Sequence, residues 1–132
     1  MTNPTQPAVV VVDADEQQCR KVCTMLRQLD YRPTPLSSLT DLETHLKGSP
    51  DGIVILDMDT VPADNRFFLE LKRRAPGLYV LTLSSRSYHP GLEEAIGSHI
   101  YACLAKPLDP EELRYCMKSI AENVAAGKAA QP

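Results

Sequence analysis

The chain has 132 residues, of which 43% are hydrophobic and 23% are charged, and its formal net charge is −3. This length fits one domain with an adequate core, and the composition is that of an ordinary globular protein. The acidic balance argues against a nucleic-acid or anionic-membrane surface. No apolar run approaches the roughly 18–20 residues of a membrane span. We therefore expect a cytoplasmic domain with no direct nucleic-acid or membrane partner.

Strands and helices are predicted to alternate along the chain, because short apolar runs are separated by segments with apolar residues at helical spacing. The predicted strands are residues 8–12, 31–36, 52–57, 79–84 and 102–105. The predicted helices are residues 16–30, 37–47 and 65–75, a short helix with Pro90 at its start, and a last helix whose N-cap is Asp109. Residues 1–7 are predicted to be a disordered arm, residues 8–124 the domain, and residues 125–132 a frayed tail or linker stub.

The four cysteines, at positions 19, 23, 103 and 116, all lie within apolar patterns. We expect them to be small buried hydrophobic residues in a reducing environment. A metal site would need a second Cys or His pair at ligand spacing, and the sequence contains none.

The arrangement of these elements predicts a doubly wound α/β fold. Because Pro33 and Pro35 interrupt the second strand, we place that strand at an edge of the sheet. The predicted fold is therefore flavodoxin-like, with five parallel strands in the order 2-1-3-4-5 and five helices.

Four of the predicted strands end in residues that carry chemistry. The first ends at Asp13, the third at Asp57, the fourth at Ser84 and the fifth at Lys106. Because the carboxyl ends of parallel strands share one edge of the sheet, we expect these side chains to lie together. Two carboxylates, a hydroxyl and an ammonium group suit phosphoryl transfer to a carboxylate, whose negative charge must be offset.

These residues, in this order and spacing, resemble the receiver domains of two-component response regulators, and the resemblance covers roughly residues 8–124. It implies that Asp57 accepts a phosphoryl group from a histidine kinase or a phosphotransfer protein. It also implies that Ser84 bonds the phosphoryl group, that Lys106 pairs with a phosphoryl oxygen, and that the Lys106–Pro107 peptide bond is cis. Such a domain is a signalling protein rather than an enzyme in the usual sense.

The resemblance further implies a Mg²⁺ site. Its ligands would be Asp13, Asp57 and the backbone carbonyl of Asp59. Ala14 stands where the family has a second acid, and Asp15 is a candidate substitute. We therefore expect weakened Mg²⁺ affinity, because one carboxylate ligand is missing.

The sequence departs from the family pattern at two further places. Cys103 occupies the position of the aromatic switch residue, and Tyr101 is a candidate replacement. Asp59 adds a negative charge beside the acceptor, and we predict that Arg86 approaches it across the mouth of the site.

The resemblance implies that a downstream protein or a fused output domain reads the face formed by the fourth helix, the fifth strand and the fifth helix, with a homodimer as an open alternative. Two other interpretations remain open. The altered residues allow a pseudo-receiver that binds partners independently of phosphorylation. The segment Asp57–Val61 also resembles the first motif of haloacid-dehalogenase-type phosphatases, in which the second Asp, here Asp59, is a general acid.

Overall fold

A computed structural model of the protein describes residues 7–86 and 92–127. Its strands are β1 (Val9–Val12), β2 (Pro33–Leu36), β3 (Gly52–Asp57), β4 (Leu78–Ser84) and β5 (Ala102–Ala105). Its helices are α1 (Glu16–Gln28), α2 (Leu39–Gly48), α3 (Asn65–Arg74), α4 (Glu93–Ser98) and α5 (Pro110–Ala125). None of the helices in these two ranges has the length and apolar character needed to cross a bilayer.

The five strands form one parallel sheet in the order β2-β1-β3-β4-β5, which confirms the predicted order. The proline-containing strand β2 lies at the edge, where a missing backbone N–H costs no interior ladder bond. All residues of β1 and β3 are buried, as expected for strands covered on both faces.

The ends of several elements differ from the predictions by a few residues. Helix α1 ends at Gln28 rather than at residue 30, because Asp30 adopts a left-handed backbone with φ of 70° that a helix cannot continue. Gly48 is the last residue of α2 rather than the first residue after it. The predicted helix start at Pro90 lies outside the described residues.

The core has two layers, one on each face of the sheet. In β1, Val9 and Val11 pack on the side of α1 and α5, while Val10 and Val12 pack on the side of α2, α3 and α4. This alternation follows from the two-residue period of a strand. It fixes which face each side chain occupies, while the parallel direction of all five strands brings their carboxyl ends to a common edge.

Gly52 begins β3 with a backbone that favours glycine. Its φ is 120°, and a Cβ at this position would lie 2.5 Å from the carbonyl oxygen of Ala8. The next residue, Ile53, donates its N–H to that same carbonyl at 2.8 Å. The absence of a side chain thus lets β3 enter the sheet beside β1.

Candidate functional site

The four chemically active strand ends meet at the carboxyl edge of the sheet. β1 and β3 are neighbours, β3 pairs with β4 so that Asp57 lies opposite Leu83, and β4 pairs with β5 so that Ser84 lies opposite Ala105. Asp13, Asp57 and Ser84 are buried, each with no more than 4% of its surface exposed. Buried polar side chains of this kind require partners, and the pocket supplies them.

The Asp57 carboxylate binds a different partner with each oxygen. Its Oδ1 lies 2.7 Å from Nζ of Lys106, and among the described residues this buried atom has no other polar partner. Its Oδ2 accepts hydrogen bonds from the backbone N–H of Thr60 at 3.0 Å and from the Thr60 hydroxyl at 2.7 Å. The carboxylate is therefore fixed between the end of β5 and the turn that follows β3.

Thr60 links the two buried aspartates. Its Oγ1 lies 2.7 Å from Oδ2 of Asp57 and 3.0 Å from Oδ1 of Asp13, and it accepts the N–H of Ala14 at 3.0 Å. One hydroxyl proton thus lies between two carboxylates that would otherwise repel each other.

The Asp59 carboxylate binds donors from three residues: Ser84 at the end of β4, Ser85 after it, and Lys106 after β5. Oδ1 accepts from the Ser84 hydroxyl at 3.0 Å, and Oδ2 accepts from the Ser85 N–H at 3.0 Å and lies 2.8 Å from Nζ of Lys106. Desolvation acts to raise the pKa of the Asp59 carboxyl, but the hydrogen bonds from Lys106, Ser85 and Ser84 outweigh it and hold that pKa well below its ordinary value. Asp59 is therefore a carboxylate anion at neutral pH.

Lys106 is shared between two carboxylates. Desolvation acts against its charged form, but the hydrogen bonds and charges of Asp57 and Asp59 outweigh this effect and raise the pKa of the ammonium above its ordinary value. With 17% of its side chain exposed, Lys106 covers the inner oxygen of Asp57. The Lys106–Pro107 peptide bond is cis, as predicted.

The acidic oxygens do not form a ready Mg²⁺ site. Oδ1 of Asp13 also accepts the N–H of Asp15 at 2.8 Å, and its Oδ2 accepts from the side-chain amide of Gln18. Within residues 7–86 and 92–127, no group of three His, Cys, Asp or Glu side chains could hold a metal ion. Because these oxygens already accept hydrogen bonds from protein donors, Mg²⁺ would have to displace those donors in order to bind Asp13 and Asp57.

Asp15 and Arg86, which the sequence analysis singled out, have contacts of their own in the structure. Asp15, the candidate substitute ligand, is the N-cap of α1 and accepts the N–H of Gln18 at 3.1 Å. Among the described residues no ion pair joins Asp59 to Arg86, and the approach of these two side chains across the mouth of the site stays a prediction. Lys106, which follows β5, pairs with Asp59 across the end of β4, with its Nζ 2.8 Å from Oδ2 of Asp59. Arg86 reaches the cluster only through its backbone N–H, which donates to the Ser84 hydroxyl at 3.0 Å.

The sequence analysis missed Thr60, Gln18 and the backbone N–H of Ser85. A signal for Thr60 exists, because a hydroxyl residue three positions after an Asp can donate back to that carboxylate. The position of Gln18, one turn into α1, carries no such signal.

Tyr101 lies just before β5 and Cys103 lies within it, and their side chains have different environments. Cys103 is exposed. Tyr101 packs edge-on against Tyr79 with ring centroids 5.4 Å apart, and its hydroxyl lies 2.7 Å from Oγ of Ser119 on α5. Tyr101 therefore connects the start of β5 to α5 rather than to the pocket.

Comparison with known proteins gives matches at the level of structure. No family model matches the sequence, and no curated protein is similar to it. The signal receiver domain of an HD domain-containing protein from Pseudomonas fluorescens Pf-5 matches with a TM-score of 0.80 and 20% identity, over 96% of this chain and 95% of that one. A CheY-like response regulator receiver domain protein from Methanospirillum hungatei JF-1 matches with a TM-score of 0.80 and 11% identity, over 92% and 98%.

A third structure, the beryllofluoride-activated NtrC4 receiver domain dimer, matches with a TM-score of 0.77 and 23% identity, over 89% of this chain and 98% of that one. These similarities extend over almost the whole of each chain. The chain therefore has the fold of the response regulator receiver domains.

Proposed function

We propose that this protein is a receiver-type signalling domain that accepts a phosphoryl group on Asp57 from a histidine kinase or a phosphotransfer protein. The contact between Oδ1 of Asp57 and Nζ of Lys106, at 2.7 Å, carries the proposal. It joins a buried nucleophilic oxygen to a fixed positive charge, beside the Ser84 hydroxyl at the end of the next strand. A carboxylate can attack a phosphoryl group when such charge is held in place.

In the proposed reaction, an oxygen of Asp57 forms a bond to phosphorus while the P–N bond of the phosphohistidine donor breaks. The electron pair of that bond stays on the imidazole nitrogen, and the product is an acyl phosphate. Lys106 balances charge on the transferred group, and Ser84 donates a hydrogen bond to one of its oxygens. Mg²⁺ binding, if the carboxylates rearrange to allow it, is proposed to be weaker than in a site with two acids after β1.

The output of this reaction is proposed to be a change in the face formed by α4, β5 and α5. Ile96 on α4 and Tyr115 on α5 are exposed apolar or aromatic side chains, and Tyr115 has 74% of its surface accessible. A downstream protein or a fused output domain would bind there. The NtrC4 neighbour is described as a dimer, so a homodimer through this face is the alternative arrangement.

The experiment is phosphorylation with acetyl phosphate and Mg²⁺, followed by intact-mass analysis. We expect one added phosphoryl group in the wild type and none in Asp57→Asn. Asp30→Asn, which removes the same charge at an exposed position beyond α1, serves as the control and should be modified like the wild type. Modification that persists in Asp57→Asn would contradict the assignment of the acceptor.

A second candidate function is a binding module that works without phosphorylation. The observation that favours it is the Thr60 hydroxyl between Asp13 and Asp57, together with Ala14 in place of a second acid. In this arrangement, the carboxylates are satisfied by protein donors and need no metal ion. An unmodified wild type in the experiment above, with partner binding intact in Asp57→Asn, would select this function.

The phosphatase interpretation is less favoured than the receiver function. A general acid must carry a proton near the working pH. Lys106, Ser85 and Ser84 hold the pKa of Asp59 well below its ordinary value, which favours the unprotonated carboxylate over a general acid at this position.

A further inference from the structure

The Asp59 carboxylate accepts hydrogen bonds from a set of donors that converge beside the proposed phosphoacceptor, Asp57. These donors are the ammonium of Lys106, the hydroxyl of Ser84 and the backbone N–H of Ser85, at 2.8, 3.0 and 3.0 Å. Ser84 is the last residue of β4, Ser85 follows β4, and Lys106 follows β5. Together they form an anion-binding group of the kind that backbone N–H groups, hydroxyls and a lysine provide for phosphates.

The same donors are the ones that a phosphoryl group on Asp57 would need. Lys106 already contacts Oδ1 of Asp57 at 2.7 Å, so a group attached to that oxygen would lie next to the ammonium. Ser84 is almost completely buried and has its hydroxyl proton directed to Asp59. A tetrahedral anion and the Asp59 carboxylate therefore cannot both have the full set of donors.

Asp59 also keeps the acceptor covered. The inner oxygen of Asp57 is buried beneath Lys106, and Asp59 binds the other side of that ammonium. A simple counter-ion for Lys106 would need only one oxygen. Asp59 uses both oxygens and also binds Ser84 and Ser85, which ties the end of β4 to the turn after β3.

We propose that the Asp59 carboxylate is an internal substitute for the phosphoryl group, which holds Lys106, Ser84 and Ser85 in their anion-bound arrangement and restrains phosphorylation of Asp57. This inference rests on the proposed function for its kinetic consequence. Its structural consequence is independent of phosphorylation: the end of β4 is drawn toward the pocket in the unmodified protein. Removal of the carboxylate releases this contact and frees the donors for an incoming group.

The kinetic test compares the rate of Asp57 modification by acetyl phosphate in the wild type, in Asp59→Asn and in the charge-matched control Asp30→Asn. In this reaction an Asp57 oxygen bonds to phosphorus, and acetate leaves with the electron pair of the broken P–O bond. We expect Asp59→Asn to react about 10- to 100-fold faster than the wild type, because charge-assisted hydrogen bonds no longer compete for the donors. Asp30→Asn should react at the wild-type rate. Equal rates for Asp59→Asn and the wild type would overturn the inference.

The second test is amide-exchange NMR of Ser85, which needs no phosphoryl transfer. In Asp59→Ala, we expect the Ser85 N–H to exchange at least about tenfold faster, because its carboxylate acceptor is gone. The exchange in Asp30→Asn should not change. Unaltered Ser85 exchange in Asp59→Ala would overturn the inference.

The two tests separate the inference from the proposed function. If no variant is modified on Asp57 but Ser85 exchange rises in Asp59→Ala, the phosphoacceptor function fails and the internal anion stands. If the variants are modified at equal rates, the acceptor stands and the role of Asp59 fails.

Discussion

At the scale of single residues, the pocket differs from the sequence prediction where the direction of a side chain depends on the geometry of a turn. Asp13, Asp57, Ser84 and Lys106 follow apolar strands, so the parallel order is enough to bring them together. The direction of the Asp59 side chain depends instead on the turn after β3, in which Val61 donates its N–H to the Asp57 carbonyl at 2.9 Å. No periodicity in the sequence encodes that direction.

Ala14 gives a direct test of the metal prediction at this scale. It is exposed and follows Asp13, and its N–H is bound to the Thr60 hydroxyl at 3.0 Å. We expect Ala14→Asp to raise Mg²⁺ affinity at least about tenfold, because a second carboxylate adds a hard oxygen ligand to the two already present. Titration of Mg²⁺ against an amide or fluorescence probe measures the change.

The control for this prediction is Ala14→Asn, which adds a side chain of the same size without the charge. It should bind Mg²⁺ less tightly than Ala14→Asp. Identical affinities for the wild type and both variants would show that the missing acid does not limit metal binding.

At the scale of secondary-structure elements, hydrophobic patterning was sufficient for the number of strands, and their order needed the prolines of the second strand as well. The edge position of β2 followed from its two prolines, and the buried character of β3 followed from its unbroken apolar run. The ends of the helices were less predictable, because a left-handed residue such as Asp30 ends a helix without a break in the apolar pattern.

The sequence did predict the N-terminus of helix α5, and the contribution of its N-cap to stability can be tested. Asp109 is the N-cap, its Oδ1 accepts the N–H of Glu111 at 2.9 Å, and Pro110 occupies the first turn. We expect Asp109→Ala to lower the free energy of unfolding by about 0.5–2 kcal/mol, because that N–H loses its acceptor. The free energy of unfolding of Asp109→Asn should differ from the wild-type value by no more than about a few tenths of a kcal/mol, because Asn is an equally good N-cap. Urea unfolding followed by circular dichroism measures both, and an equal loss in the two variants would exclude the cap as the cause.

At the scale of the whole molecule, thiols buried in one layer of the core make stability depend on pH in the alkaline range. Cys19, Cys23 and Cys116 are buried in the layer formed by the sheet with α1 and α5, whereas Cys103 is exposed. Burial, with smaller contributions from Cys23 and Asp13, raises the pKa of the Cys19 thiol from 9.0 to about 12. Burial also raises the pKa values of Cys23 and Cys116.

These shifts fix the sign of the pH dependence. Above about pH 9, the unfolded chain releases the Cys19 proton while the folded chain keeps it, so the folded state binds more protons. The free energy of unfolding must therefore fall as the pH rises from about 9 toward about 12, by up to about 1.4 kcal/mol per pH unit for the Cys19 thiol. Urea unfolding at about pH 8 and about pH 10.5 should show this loss in the wild type. The loss should be smaller in Cys19→Ala, which lacks the group, and unchanged in the exposed control Cys103→Ala. Parallel pH profiles for the wild type and Cys19→Ala would show that the buried thiol does not contribute to the alkaline loss of stability.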